Sequence, residues 1–135
     1  MEQNLIGWVE IPVTDMDRAK NFYETVFDIK ISVHDFEETL MGWFPAQPGK
    51  SGCSGSLILK PEWYIPDYKK GVLIYFSCAD VQNELDRIVA LGGRILKPKT
   101  KISDEIGYMG LFHDSEGNRI AVSYTHLTLP TICSV

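Results

Sequence analysis

The sequence predicts an α+β fold made of two βαβββ units, and three observations carry that prediction. Trp8-Val9-Glu10-Ile11-Pro12-Val13-Thr14-Asp15 reads as a strand entering a helix, and Leu73-Ile74-Tyr75-Phe76-Ser77-Cys78-Ala79-Asp80 reads the same way 65 residues later. After each helix the apolar spacing returns to a period of two, the signature of further strands. The chain has 135 residues and is 44% hydrophobic, enough for one compact domain and too little for two independent ones, so the halves must share a core.

In the first strand Val9, Ile11 and Val13 point to one face and Trp8, Glu10 and Pro12 to the other, which puts the aliphatic face under a helix. That helix starts at Thr14 or Asp15, whose side-chain oxygens can cap it, with Asp17 three residues after Thr14 imitating a capping box. Met16, Ala19, Phe22, Tyr23, Val26 and Phe27 form its apolar stripe. Ile29, Ile31 and Val33 then alternate with Lys30, Ser32 and His34 as a second strand; 37–44 reads as a third, 45–52 as a loop and 54–59 as a fourth.

The second unit repeats the order. A strand over 71–78 leads to a helix from Asp80 to Leu91 with the stripe Val81, Leu85, Ile88 and Leu91, stopped by Gly92-Gly93. Strands follow over 94–97, 107–113 and 119–124, the last two joined by a turn at Asp114-Ser115-Glu116-Gly117-Asn118. The repeats thus span about 5–60 and 71–124 of one domain, 1–124. The connecting segment 61–70 carries Trp63, Tyr64, Pro66 and Tyr68 and reads as a loop that packs down, not a free linker. Residues 125–135 have no counterpart in the first unit; they read either as a frayed tail or as an extra strand or partner-swapping arm.

Net charge is −5 and no run of Lys or Arg is present, which argues against a nucleic-acid partner. Without an apolar stretch near the length of a membrane span or a signal-peptide pattern, the chain reads as cytoplasmic with no membrane association. Cys53, Cys78 and Cys133 are odd in number and widely separated, so they read as reduced thiols. No Gly-rich phosphate loop, Ser-His-Asp order or Cys-His nucleophile signature occurs.

The run Glu10-Ile11-Pro12-Val13-Thr14-Asp15-Met16-Asp17-Arg18-Ala19 with Phe22-Tyr23, then Gly92-Gly93, Lys97-Pro98-Lys99-Thr100 and the closing Asp114-x-Glu116-Gly117-Asn118-Arg119-Ile120, resembles the vicinal oxygen chelate superfamily (glyoxalase, bleomycin resistance, dioxygenase). More narrowly, it resembles the bacterial branch related to lactoylglutathione lyase. The resemblance covers about residues 5–124. It implies two βαβββ units whose mixed sheets curl into a cup, a small organic molecule bound inside, and commonly a homodimer. Many members also hold a divalent metal through one His, Gln or Glu on the first and last strand of each unit. The resemblance carries those four positions onto Trp8, Ser56, Leu73 and Ala121, an indole, a hydroxyl, an isobutyl and a methyl, which cannot supply converging donors. No metal and no other cofactor is therefore expected, and with them the metal-dependent glyoxalase I and extradiol dioxygenase activities fall away. His34, His113 and His126 read as satisfied or solvated histidines.

By parity from those slots, the cup face carries Trp8, Glu10 and Pro12 in the first strand, Leu73, Tyr75 and Ser77 in the fifth, and Arg119, Ala121 and Ser123 in the last. Apolar walls with sparse polar groups are the usual composition of a ligand pocket, so Trp8, Ser56, Leu73, Arg119, Ala121 and Ser123 are candidate ligand-binding residues. Glu10 is the candidate general base, since an enclosed carboxylate beside Trp8 loses hydration and becomes a readier proton carrier. It could equally pair with Arg119 or a hydroxyl and hold the cup together. Tyr75, at the equivalent position of the second unit, is a weaker candidate acid or hydrogen-bond donor, or simply an aromatic wall. Lys97, Lys99 and Lys101 are either an anion-attracting rim or a solvated loop. Two functions remain open: a metal-independent lyase or isomerase acting on a small carbonyl or hydroxyl compound through Glu10, and a non-catalytic protein that sequesters a drug or metabolite as bleomycin-resistance proteins do.

Overall fold

A computed structural model describes residues 4–125. The first unit comprises β1 (Trp8–Pro12), α1 (Met16–Phe27), β2 (Ser32–Phe36), β3 (Thr39–Trp43) and β4 (Ser54–Leu59). The second comprises β5 (Ile74–Ser77), α2 (Val81–Ile88), β6 (Arg94–Ser103), β7 (Gly107–His113) and β8 (Arg119–Thr125). Each unit folds into a four-stranded mixed sheet, ordered β1-β4-β3-β2 and β5-β8-β7-β6, with its first strand parallel to its last. The expected α+β pair of βαβββ units is what forms. Segment 126–135, and with it the reading of an appended tail, lies outside the described residues.

Both helices start where an acidic side chain can cap them. Asp15 accepts from the Arg18 N–H and Asp80 from the Gln82 N–H, each at 3.1 Å. Met16, Ala19, Phe22, Tyr23 and Val26 of α1 and Val81, Leu85 and Ile88 of α2 are buried. One apolar cluster draws on both units, joining these stripes to Ile11, Val13 and Leu57 of the first and Phe112, Ile120 and Val122 of the second. Aromatic rings cross between the halves: Phe22 meets Phe112 at 6.2 Å between centroids, and Phe27 stacks on Phe76 at 4.6 Å.

Several boundaries differ from the sequence expectation, each for a local reason. Residues 29–31 are not strand, because they serve the end of α1. Asp28 takes a left-handed conformation, the Ile29 N–H bonds the Glu24 carbonyl, and the Ile31 N–H bonds the Glu24 carboxylate at 2.8 Å. Glu37 belongs to the β2–β3 turn at φ +59° instead of opening a strand. The fifth strand begins at Ile74 and leaves Leu73 outside it. β6 runs to Ser103, straight through Pro98, where a short strand and then a loop were expected; it is an edge strand with register shifts, where a missing N–H is tolerated. The expected capping box between Thr14 and Asp17 does not form, because Thr14 is engaged by the second unit.

That engagement is the latch of the fold. The Glu116 carboxylate, its side chain fully buried, accepts the Thr14 and Asp15 N–H groups at 2.8 and 2.9 Å and the Arg18 Nε–H at 2.7 Å. Behind it, the buried Asp114 accepts from the Tyr23 hydroxyl at 2.6 Å and from the N–H groups of Glu116 and Asn118. Asn118 completes the turn by donating its amide to the Pro12 carbonyl at 2.7 Å. Burial pushes the Asp114 carboxyl above its ordinary range despite these donors, and burial together with Asp114 pushes the Tyr23 phenol well up. Burial acts upward on Glu116 too, but Arg18, Thr14 and Asp15 outweigh it and hold that carboxyl at about 2.

Because the folded value of Glu116 lies below the 4.5 of the free group, its charged bonds stabilise fully above that range and are lost as pH falls toward about 2. Glu116→Gln should cost about 2 kcal/mol near neutral pH. In urea unfolding of both proteins the difference should shrink steadily as the pH is lowered through 4; a difference independent of pH would show that the carboxylate charge does not close the latch.

Candidate functional site

A cavity of about 200 Å³ lies between the two units, walled by Glu10 and Pro12 of β1, Ile65, Asp67, Lys70 and Val72 of the connecting segment, and Ile74, Asn118, Arg119 and Ile120 of the second unit. Its existence follows from three polar anchors that bring segment 61–73 down onto the sheets. The Tyr64 hydroxyl donates to Glu10 Oε1 at 2.7 Å, the Asp67 N–H donates to Asn118 Oδ1 at 3.3 Å, and His113 Nε2 donates to the Tyr68 carbonyl at 3.1 Å. Asp67 in turn accepts the Lys69 and Lys70 N–H groups at 2.8 Å each, an Asx-type turn that fixes the bend. The segment does pack down, though through backbone and hydroxyl bonds: Trp63 and Tyr68 are 77% and 65% exposed.

Of the candidate residues, Glu10 and Arg119 meet at this cavity. Glu10 is half-buried and bonded to a hydroxyl, and that bond raises the Tyr64 phenol above its ordinary range. Arg119 sends Nη2 toward the Gly71 carbonyl at 3.5 Å, the limit of a hydrogen bond, while its Nε is buried with no partner. The strand register places Ser56 beside Glu10 and Ala121 beside Tyr75, so the parity argument for a common face holds. Ser56 is nonetheless fully buried with its hydroxyl unpartnered, and Ala121 is fully buried. Trp8 stands 45% exposed, edge-on to Trp43 at 6.4 Å. Tyr75 is 51% exposed, Ser123 pairs across from Ser77, and Leu73 precedes its strand; none of these three lines the cavity.

Among the polar groups, the wall residues Asp67, Lys70 and Asn118, and Tyr64, which holds Glu10 from beside the wall, were not assigned by sequence reasoning. Tyr64 lies 54 positions from Glu10; its one signal was an aromatic side chain in a segment expected to pack down. Elsewhere, Lys99 ion-pairs Asp80 at 3.3 Å and lies over the Tyr108 ring, so it is a fold contact, and Lys97 and Lys101 sit on β6 itself. His34 bonds Ser32 at 2.8 Å and packs on Trp43. Burial pushes the Cys78 thiol up to about 12, which leaves it protonated and a poor nucleophile.

The four positions that the resemblance assigns to a metal do not fit a cation. A half-exposed indole, an unpartnered hydroxyl, a leucine outside the strand and a buried methyl offer a single oxygen among them, and a divalent ion needs several donors at once. Among the described residues no cluster of three or more His, Cys, Asp and Glu side chains could hold a metal ion either.

The family model of the Glyoxalase/Bleomycin resistance protein/Dioxygenase superfamily matches residues 5–122, and the chain belongs to that superfamily. A glyoxylase-like domain-containing protein of Didymella fabae is 29% identical over 124 residues, covering 87% of this chain and 91% of its own. The crystal structure of a glyoxylase/bleomycin resistance protein/dioxygenase domain from Frankia sp. EAN1pec superposes with a TM-score of 0.70 at 18% identity, over 91% of this chain and 98% of its own. An E144Q-glyoxalase I mutant from Zea mays gives 0.67 at 18% identity over 87% of this chain, which spans only 46% of that protein. Among the described residues, no helix is long and apolar enough to cross a membrane.

If the Tyr64 bond is what seats the connecting segment, Tyr64→Phe should lower overall stability by no more than about 1 kcal/mol. Amide hydrogen exchange across 61–70 should accelerate far more than exchange in β7. Unchanged exchange would mean that Asp67 and Tyr68 anchor the segment by themselves.

Proposed function

We propose that this protein binds a small organic molecule in the cavity between its units and acts on it without a metal, as a lyase or isomerase for a carbonyl or hydroxyl compound with Glu10 as the general base. The observation that carries this reading is the pairing of Glu10 with the Tyr64 hydroxyl in a wall that also holds Arg119, against the apolar surface of Ile65, Val72, Ile74 and Ile120. A carboxylate oriented by a neutral donor keeps a second oxygen for a substrate proton, and a cation in the same wall favours negative charge developing on a substrate oxygen. The volume, about 200 Å³, is below the roughly 300–1,000 Å³ of drug-sized sites, which argues for a metabolite-sized ligand. On this reading the chain is not a genuine glyoxalase I, whose chemistry runs through a metal.

A second reading is sequestration without turnover, favoured by the same Tyr64 bond, since a carboxylate held by a hydroxyl can serve only to shape the wall. Trp8, Phe36 and Trp43, all more than one-third exposed on one sheet face, supply a physical reason for a second copy of the chain to cover it, so the protein is read as a homodimer. Glu10→Gln separates the two functions. With a small-carbonyl panel read by both NMR turnover and calorimetry, the enzyme reading expects turnover to fall at least a hundredfold with affinity nearly kept. Tight binding with no product from the wild type would instead leave sequestration.

A further inference from the structure

Arg119 is a charged group of the cavity wall whose hydrogen bonding is incomplete. Its Nε is buried and has no partner, and Nη2 reaches only the Gly71 carbonyl at 3.5 Å. The two acids of the same wall do not complete it. Glu10 is engaged by the Tyr64 hydroxyl at 2.7 Å, and Asp67 by the Lys69 and Lys70 N–H groups at 2.8 Å. Asp67 feels the guanidinium charge, which helps to lower its carboxyl below the ordinary range after the larger effect of those backbone donors, but it closes no ion pair with it. Lys70 adds a second cation to the wall, again without a salt-bridged carboxylate among the described residues. A guanidinium that lines a cavity with no carboxylate partner among the described residues, and with its terminal nitrogens outside the buried set, keeps charged donors for an acceptor from outside.

From these contacts we infer that the molecule taken by this cavity carries a carboxylate, and that Arg119 receives it end-on through Nη1 and Nη2, with Lys70 adding charge at the rim. The planar fork of a guanidinium matches the two oxygens of a carboxylate, and the Nη1–Nη2 end is one of its bidentate edges. The carbon skeleton then lies against Val72, Ile74 and Ile120, with Glu10 on the wall beside it. The inference rests on the reading of this cavity as the ligand site and narrows it from small organic molecules to small monocarboxylates.

Matched pairs test it: two-, three- and four-carbon-chain 2-oxo acids against their primary amides, titrated by calorimetry into the wild type, Arg119→Gln and Arg119→Lys. The wild type should bind the acids roughly ten- to a hundredfold more tightly than the amides. Arg119→Gln should erase that preference by weakening the acids far more than the amides, and Arg119→Lys, which keeps the charge and loses the fork, should retain only part of it. Thermal unfolding of each variant establishes that it is folded. An equal response to acids and amides in the wild type, or an acid preference that survives Arg119→Gln, would overturn the inference while leaving the cavity a ligand site. Preference for inorganic phosphate over every acid would overturn the planar carboxylate fit. Failure of both acids and amides to bind would remove the cavity itself, and the proposed function with it.

Discussion

The structure depends on one turn. Asp114 to Asn118 lies in the second unit, yet every polar side chain it buries reaches the first: Glu116 to the start of α1, Asp114 to Tyr23, and Asn118 to the last carbonyl of β1. Apolar packing alone would leave the two sheets free to slide, because dispersion and burial are non-directional. The hydrogen bonds of this turn set the relative position of β1 and β8, and so decide that Glu10 and Arg119 face one space. Asn118 extends the same control outward, since its remaining oxygen accepts the Asp67 N–H of the connecting segment. The shared core provides the cohesion and the turn provides the registration.

The cavity is a consequence of that registration and of the segment pinned across it. The four positions that the resemblance assigns to a metal carry an indole, a hydroxyl, an isobutyl and a methyl in this chain. Ordinary polar bonds, Tyr64 to Glu10 and Asp67 to its own backbone neighbours, organise the wall of the cavity. The polar groups thereby end up at one border of the cup, between the units. On the other side of Glu10, Ser56 and Trp43 continue the face toward an exposed aromatic surface.

Much of the fold was legible because each unit announces itself with a strand, an acidic cap and an apolar stripe. Those signals are local, and they located both helices and most strands. Failures came where a distant or competing bond took over: Glu24 captured residues 29–31 for the helix end, and an edge position let β6 run through Pro98. The wall of the candidate site was legible only as a shared face. Alternation along β1 and β8 put Glu10 and Arg119 on one face, whereas Trp8, Tyr75 and Ser123 share that face and stand away from the cavity. Periodicity gives a side, not a position along it. Tyr64 and Asn118 depended on contacts across 54 and 106 residues, for which a single sequence holds no local signal.

The cup is proposed to work without a metal, and the metal content of the purified protein is the measurement to make. Protein purified without chelator should contain far less than one equivalent of any transition metal, and Ni, Zn, Mn or Fe(II) should leave its melting temperature unchanged while small organic acids raise it. A stoichiometric metal, or strong stabilisation by one of these ions, would contradict the placement of Trp8, Ser56, Leu73 and Ala121 and return the protein to the metal-dependent chemistry of its superfamily.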